Sequence, residues 1–218
     1  MADWISADTK EQVKQLFGTG MESKRHSTVD ILRSLPGVFT SVDVGKLVND
    51  ANMFLYRASR KGYIQKIAKG IYANELFGRK PSVEEIACFV RRPAYVSCEW
   101  ALNHHGVILQ VPVVCTCITL TGSVGERRKI AHAGISIEYS RIAQHLFWGF
   151  DSADGVNMAT AEKALADYVY LRKALPFPDE IELDHIDVAK LNEIMKPYPK
   201  TTRKLVHGFI AGFVKERG

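Results

Sequence analysis

The chain has 218 residues, long for one small domain and comfortable for two, with the 46% hydrophobic and 24% charged content of an ordinary globular protein. Its net charge of +5 is a mild surplus that suits a nucleic-acid partner without requiring one. The longest apolar stretch, residues 107–120, is interrupted by Gln110 and Pro112 and is too short to cross a bilayer, so we expect no membrane partner.

The amino-terminal segment, residues 1–22, is predicted to be a polar leader with one short helical signal. It carries acids and lacks the apolar core of a signal peptide. We therefore expect a cytoplasmic protein in a reducing cytosol, where its four cysteines remain free thiols.

Three helices are predicted after the leader. The first has Ser27 or Thr28 as its N-cap and ends at a Pro-Gly pair. A short extended link, residues 38–40, leads to the second helix, which has Ser41 as its predicted N-cap. The third helix covers residues 51–61 after a turn of three or four residues, which is helix-turn-helix spacing.

A basic hairpin follows the third helix. Gly62 is expected to end the helix in the left-handed conformation, and two short apolar runs are predicted to pair around residues 68–70. The order of helix, turn, helix and hairpin is that of a winged helix-turn-helix, which we predict over residues 23–76.

The predicted domain holds most of the charge surplus. Residues 51–74 contain five basic side chains and no Asp or Glu. Arginine suits guanine and asparagine suits adenine in the major groove, lysines near a hairpin tip suit phosphates or the minor groove, and a helix N-terminus suits a phosphate. The alternative is a solvated surface on an unrelated three-helix unit. The predicted DNA contacts are Ser41, Asn52, Tyr56, Arg57, Arg60, Lys61, Lys66 and Lys69.

A probable linker over residues 74–81 precedes a larger mixed domain, predicted over residues 80–218, so the fold class is α+β. Its predicted helices lie near residues 82–90, 97–105, 159–173, 188–195 and 201–215, and its predicted strands cover residues 113–121 and 135–140.

Two charged features of this domain have a plain structural interpretation. Lys163 and Asp167 are predicted to form an i,i+4 ion pair on a core helix. The last helix carries a second basic patch, which is either a solvated face or a support for DNA or a partner. The patch comprises Lys196, Lys200, Arg203, Lys204, His207, Lys215 and Arg217.

Two motifs suggest a metal site or a catalytic site, but the other residues that such a site requires are missing. The pair His104-His105 and the cysteines do not have zinc-site spacing, because Cys115 and Cys117 face the same side of a strand without a second ligand pair. Residues 121–123 faintly resemble the Gly-Ser entry of nucleotidyltransferases, but no Asp-x-Asp follows to hold Mg²⁺. We predict no metal, no cofactor and no enzymatic activity.

Four motifs follow one another along the chain. They are Lys69-Gly70-Ile71-Tyr72, the run Pro93-Ala94-Tyr95-Val96-Ser97, the helix with Ala101-Leu102 that ends in His105-Gly106, and a strand-to-helix passage over residues 155–167. Their order resembles that of AbiEi-type antitoxins, transcriptional regulators of bacterial type IV toxin–antitoxin and abortive-infection operons. The resemblance implies a DNA-binding repressor of its own operon, whose second domain counteracts a nucleotidyltransferase-like toxin. The alternative is a protein-interaction module that neutralises such a toxin without sequence-specific DNA binding.

Overall fold

A computed structural model describes residues 27–122, 124–125, 129–177 and 180–217. The predicted leader, residues 1–22, lies outside the described residues, as does Ser123 of the nucleotidyltransferase-like motif. Helices and strands alternate along the described chain, which confirms the α+β class.

The first six elements combine three helices with a three-stranded antiparallel sheet of order β1-β3-β2. The extended link of residues 38–40 is a strand of this sheet, with Phe39 opposite Tyr72, and three residues are too few to show a strand's alternation. The elements are α1 Thr28–Arg33, β1 Val38–Thr40, α2 Ser41–Gly45, α3 Ala51–Arg60, β2 Ile64–Ala68 and β3 Ile71–Asn74.

The predicted cap of the second helix is wrong by one residue. Thr40, not Ser41, is the N-cap: its hydroxyl accepts from Asp43 N–H at 3.2 Å, and the Asp43 carboxylate accepts from Thr40 N–H at 2.9 Å. This reciprocal capping box satisfies two backbone donors and leaves Ser41 as the first helical residue. Ser27 does cap α1, as predicted.

A mixed six-stranded sheet, of order β6-β7-β5-β4-β9-β8, forms the body of the remaining chain. The β5–β7 and β4–β9 pairs are parallel and the other neighbours are antiparallel. Every predicted helix of this part is present, and so is the strand before the helix in residues 155–167, but the sequence missed three short strands, β4, β6 and β8. The elements are α4 Val83–Val90, β4 Ala94–Val96, α5 Cys98–His104, β5 Val114–Thr119, β6 Ile130–His132, β7 Ile135–Arg141, β8 Phe150–Ala153, β9 Val156–Ala159, α6 Ala161–Arg172, α7 Val188–Met195 and α8 Lys200–Arg217.

The predicted linker begins too early. Asn74 is the last residue of β3 and is fully buried. Its side-chain amide donates to the carbonyl oxygens of Leu32 at 2.7 Å and Leu35 at 3.2 Å, so it satisfies acceptors at the end of α1. This hydrogen bonding ties the last strand of the small sheet to the first helix.

The Lys163–Asp167 pair forms as predicted, but inside the protein, where neither side chain has exposed surface. The Asp167 carboxylate also accepts from the hydroxyls of Tyr95 and Ser97, each at 2.8 Å, and of Tyr198 at 2.5 Å. These contacts join β4, α5, α6 and the segment before α8. Because this buried carboxylate is bonded to groups from all of these elements, it links the larger sheet to the helices that pack on it.

No helix among the described residues is long and apolar enough to cross a membrane.

Candidate nucleic-acid interface

Helix α3 presents one apolar and one polar face, as its sequence predicts. Leu55 and Ala58 turn inward, with 4% and 0% of their surface exposed. The opposite face is exposed to solvent, and the spacing of its members follows the helical repeat. The exposed residues of α3 are Asn52, Met53, Tyr56, Arg57, Ser59 and Arg60.

Both ends of α3 are capped. The Asp50 carboxylate accepts from Met53 N–H at 2.9 Å and so fixes the first turn. At the other end Lys61 is the C-cap and Gly62 follows with φ of +70°, a conformation that glycine adopts without strain. The caps hold α3 to ten residues, about 15 Å of helix.

The hairpin turns tightly at Lys69-Gly70, where Ala68 pairs with Ile71. Gly70 has φ of +73°, which the turn requires. The side chains of Lys66, on β2, and Lys69, in the turn, are exposed. Two cations are therefore open to solvent in the turn and in the strand that leads to it.

Ser41 lies next to the hairpin turn rather than at a free helix end. Its N–H donates to the Gly70 carbonyl at 2.8 Å, and a Cβ added to Gly70 would lie 3.2 Å from the Ser41 hydroxyl. The side chain is half-buried. Since its amide is already paired, Ser41 has only its hydroxyl to offer a phosphate.

None of the five basic side chains from Arg57 to Lys69 forms an ion pair with a described residue. Two of them lie over aromatic rings. The Arg60 guanidinium is 5.9 Å from the centre of the Tyr56 ring, and the Lys61 ammonium is 5.8 Å from that of Tyr63. Stacking of this kind orients a cation without neutralising it, so neither contact removes positive charge from the segment.

The turn end of the hairpin packs against the larger sheet, which the sequence did not reveal. Ile67 and Ile71, which flank the turn, are partly buried in a cluster that also holds Val38, Ile86 of α4 and Ile137 of β7. We call this set the inter-sheet cluster. It holds the turn end of the hairpin against the body of the protein.

The second basic patch is only partly described. Lys200, Lys204 and His207 are exposed, and Arg203 is half-buried. Lys196 lies 2.5 Å from the Glu193 carboxylate, so its charge is offset. The side chains of Lys215 and Arg217 fall outside the described residues.

The cysteines and histidines form no group of three ligands among the described residues. Cys115 Sγ and Cys117 Sγ lie 3.9 Å apart on one face of β5, as predicted. Burial raises the pKa of the Cys98 and Cys117 thiols, and burial raises the pKa of Cys88 to about 11. These thiols are protonated near neutral pH, whereas metals and nucleophilic reactions require the thiolate.

Comparison with known proteins bears on the segment that carries this interface. A search of the curated proteins finds no match for the chain. Residues 27–74, from the N-cap of α1 to the end of β3, match the family described as transcriptional regulator, AbiEi antitoxin. The family resemblance of the sequence is thus confirmed over this segment.

Proposed function

We propose that the protein is a cytoplasmic transcriptional repressor that binds duplex DNA upstream of its own gene. The binding unit is a winged helix-turn-helix over residues 23–76, with α3 as the recognition helix and the β2–β3 hairpin as the wing. The exposed cationic face of α3, which has no ion pair to a described residue, carries this proposal, because it lies within the segment that matches a family of regulators. We infer no catalytic activity, cofactor or metal.

The major groove accepts a helix of the length of α3. In this arrangement Arg57 reads guanine through two hydrogen bonds and Asn52 reads adenine, each worth about 1–3 kcal/mol of discrimination. Lys61, Lys66 and Lys69 neutralise phosphates. Because Arg57 has no acidic partner among the described residues, binding DNA breaks no such internal ion pair.

The test is binding of the native upstream DNA compared with random duplex, measured by fluorescence anisotropy at several salt concentrations. We expect a preference for the native DNA and an affinity that falls steeply with salt. The charge-reversed variant Arg57→Glu/Arg60→Glu should lose binding. Lys200→Glu/Lys204→Glu, which changes the net charge equally on α8, should keep the preference. Equal affinity for native and random duplex would refute the repressor.

A second function, the binding of a protein partner, is favoured by one apolar segment. Leu109, Val111 and Val113 occupy alternate positions in the loop between α5 and β5 and are 74%, 73% and 75% exposed. Val111 and Val113 line a groove of about 470 Å³ whose polar side is the Arg172–Glu99 ion pair. We infer that a nucleotidyltransferase-like toxin docks here, as expected of an antitoxin-type domain over residues 80–218.

This second function is tested by co-purification with the product of the adjacent gene. We expect Leu109→Glu/Val111→Glu to abolish capture and Arg57→Glu/Arg60→Glu to leave it intact. The opposite result would place any partner on α3 and remove the groove as a docking site.

A further inference from the structure

The outward face of α3 carries two large, exposed side chains without charge beside its two arginines. A role in neutralising phosphates does not explain them. Met53, Tyr56, Arg57 and Arg60 follow the spacing i, i+3, i+4 and i+7, so they form one line along the helix. The first two are large and exposed, Met53 at 44% and Tyr56 at 58%. An interface built for phosphates alone has no use for these two side chains.

The position of Met53 suits contact with a base edge. It is the third residue of α3, and the Asp50 cap at its N–H holds this turn in place. Residues near the N-terminus of a recognition helix are those that reach the bases. Among the groups that base edges present in the major groove, the thymine 5-methyl is the apolar one.

Tyr56 supports Met53 on one side and Arg60 on the other. The ring lies one turn from Met53, and the Arg60 guanidinium lies over it at 5.9 Å from the ring centre. The apolar patch is therefore bordered by cations on its C-terminal side. An apolar patch beside cations suits an apolar group that is surrounded by negative charge, as a base methyl group is in DNA. It suits the apolar surface of a protein less well.

We propose that Met53, supported by Tyr56, contacts the 5-methyl group of a thymine beside the base pair read by Arg57. This inference rests on the proposed DNA binding. It assigns Met53 a role in specificity, and it names the base that the bound sequence contains at that position. Methionine is unbranched and polarisable, which suits contact with a methyl group.

The experiment replaces single thymines by deoxyuridine, which pairs identically but lacks the methyl group. A preferred duplex is first selected from a random pool with the full-length protein, and each substituted duplex is then measured by anisotropy. We expect one or two positions to weaken binding about three- to fivefold, the size of one buried methyl group. Met53→Gln, close in shape but polar, should bind the thymine and deoxyuridine duplexes equally. Met53→Leu should keep the difference between them.

The outcomes separate this inference from the proposed function. If the protein prefers the selected duplex but no deoxyuridine position matters, or Met53→Gln keeps the sensitivity, the thymine contact is refuted and DNA binding stands. If no duplex is preferred over the random pool, both are refuted. Because Met53 is exposed, its variants should melt at the temperature of the unaltered protein, which excludes misfolding as the cause.

Discussion

The ammonium of Lys163 lies 2.6 Å from Oδ1 of Asp167, and both side chains are fully buried. Burial lowers the pKa of Lys163, and the adjacent carboxylate opposes that shift. Burial also raises the pKa of Tyr95 and Tyr198, with the Asp167 charge as the next cause, so both phenols stay protonated and donate. The ammonium, the carboxylate and the two phenols therefore each have a hydrogen-bond or ion-pair partner within the protein.

Removing one member of this pair should be costly. Lys163→Met leaves a buried carboxylate without its counter-charge, and we expect the free energy of unfolding to fall by about 3–5 kcal/mol. Urea denaturation measures the loss. The exposed pair Lys196–Glu193 provides the control, because Lys196→Met should change the stability by less than about 0.5 kcal/mol. Equal effects at the two sites would contradict the structural role of the buried pair.

Alkaline pH should destabilise the fold. Burial raises the pKa of the Cys88 thiol from 9.0 to about 11, so the thiol stays neutral in the folded protein at pH values where it ionises in the unfolded chain. Its contribution is complete below about pH 9 and is lost as the pH rises through about 11. Unfolding measured at pH 7.5 and pH 10.5 should show this loss, and Cys88→Ala should make it smaller. A loss that begins below pH 8 would have another cause.

The hairpin turn should not tolerate a side chain at Gly70. Gly70→Ala places a Cβ at φ of +73° and at 3.2 Å from the Ser41 hydroxyl, whereas Gly62→Ala, at φ of +70°, has open space. We expect Gly62→Ala to cost about 1 kcal/mol and Gly70→Ala more, by thermal unfolding. The double variant Ser41→Ala/Gly70→Ala should recover the difference. If the double variant is as unstable as Gly70→Ala, crowding against the Ser41 hydroxyl is not the cause of the loss.

Substitutions of Arg57 and of Lys69 should change DNA binding in different ways. Arg57→Ala should lose discrimination between the native and random duplexes, because it removes the proposed contact to a base. Lys69→Ala should weaken all duplexes similarly and reduce the slope of log affinity against log salt by about 1. Titrations of the native and random duplexes at several salt concentrations measure both. A loss of discrimination with Lys69→Ala would mean that the hairpin tip reads sequence.

Local chemistry explains which parts of the fold could be predicted from the sequence. Helix α7 was predicted to the residue, and α4 within one, because caps and periodicity lie within the segment itself. The cap of α2 was misassigned because Thr40 and Ser41 are both good caps and the position of Asp43 decides between them. Strand β4 has three residues and pairs in parallel with β9, about sixty residues later, so no local signal marks it.

The candidate site also combines features that the local sequence predicts with features that depend on the fold. The exposed face of α3 follows from helical periodicity, and the charge run is visible in the sequence. The contact between Ser41 and Gly70, and the packing of Ile67 and Ile71 in the inter-sheet cluster, depend on chain segments that meet only in the folded protein. Helical periodicity also places Met53 on the outward face of α3, but a lone methionine signals no function until its exposure and neighbours are known.

The inter-sheet cluster anchors the hairpin at its turn. Ile67 and Ile71 share their burial with Ile86 and Ile137, so the position of Lys69 depends on the packing of α4 and β7. Loosening that packing would let the turn shift even while α3 remained helical. If the protein binds DNA as proposed, a substitution at Ile86 or Ile137 is therefore expected to weaken binding before it unfolds the chain.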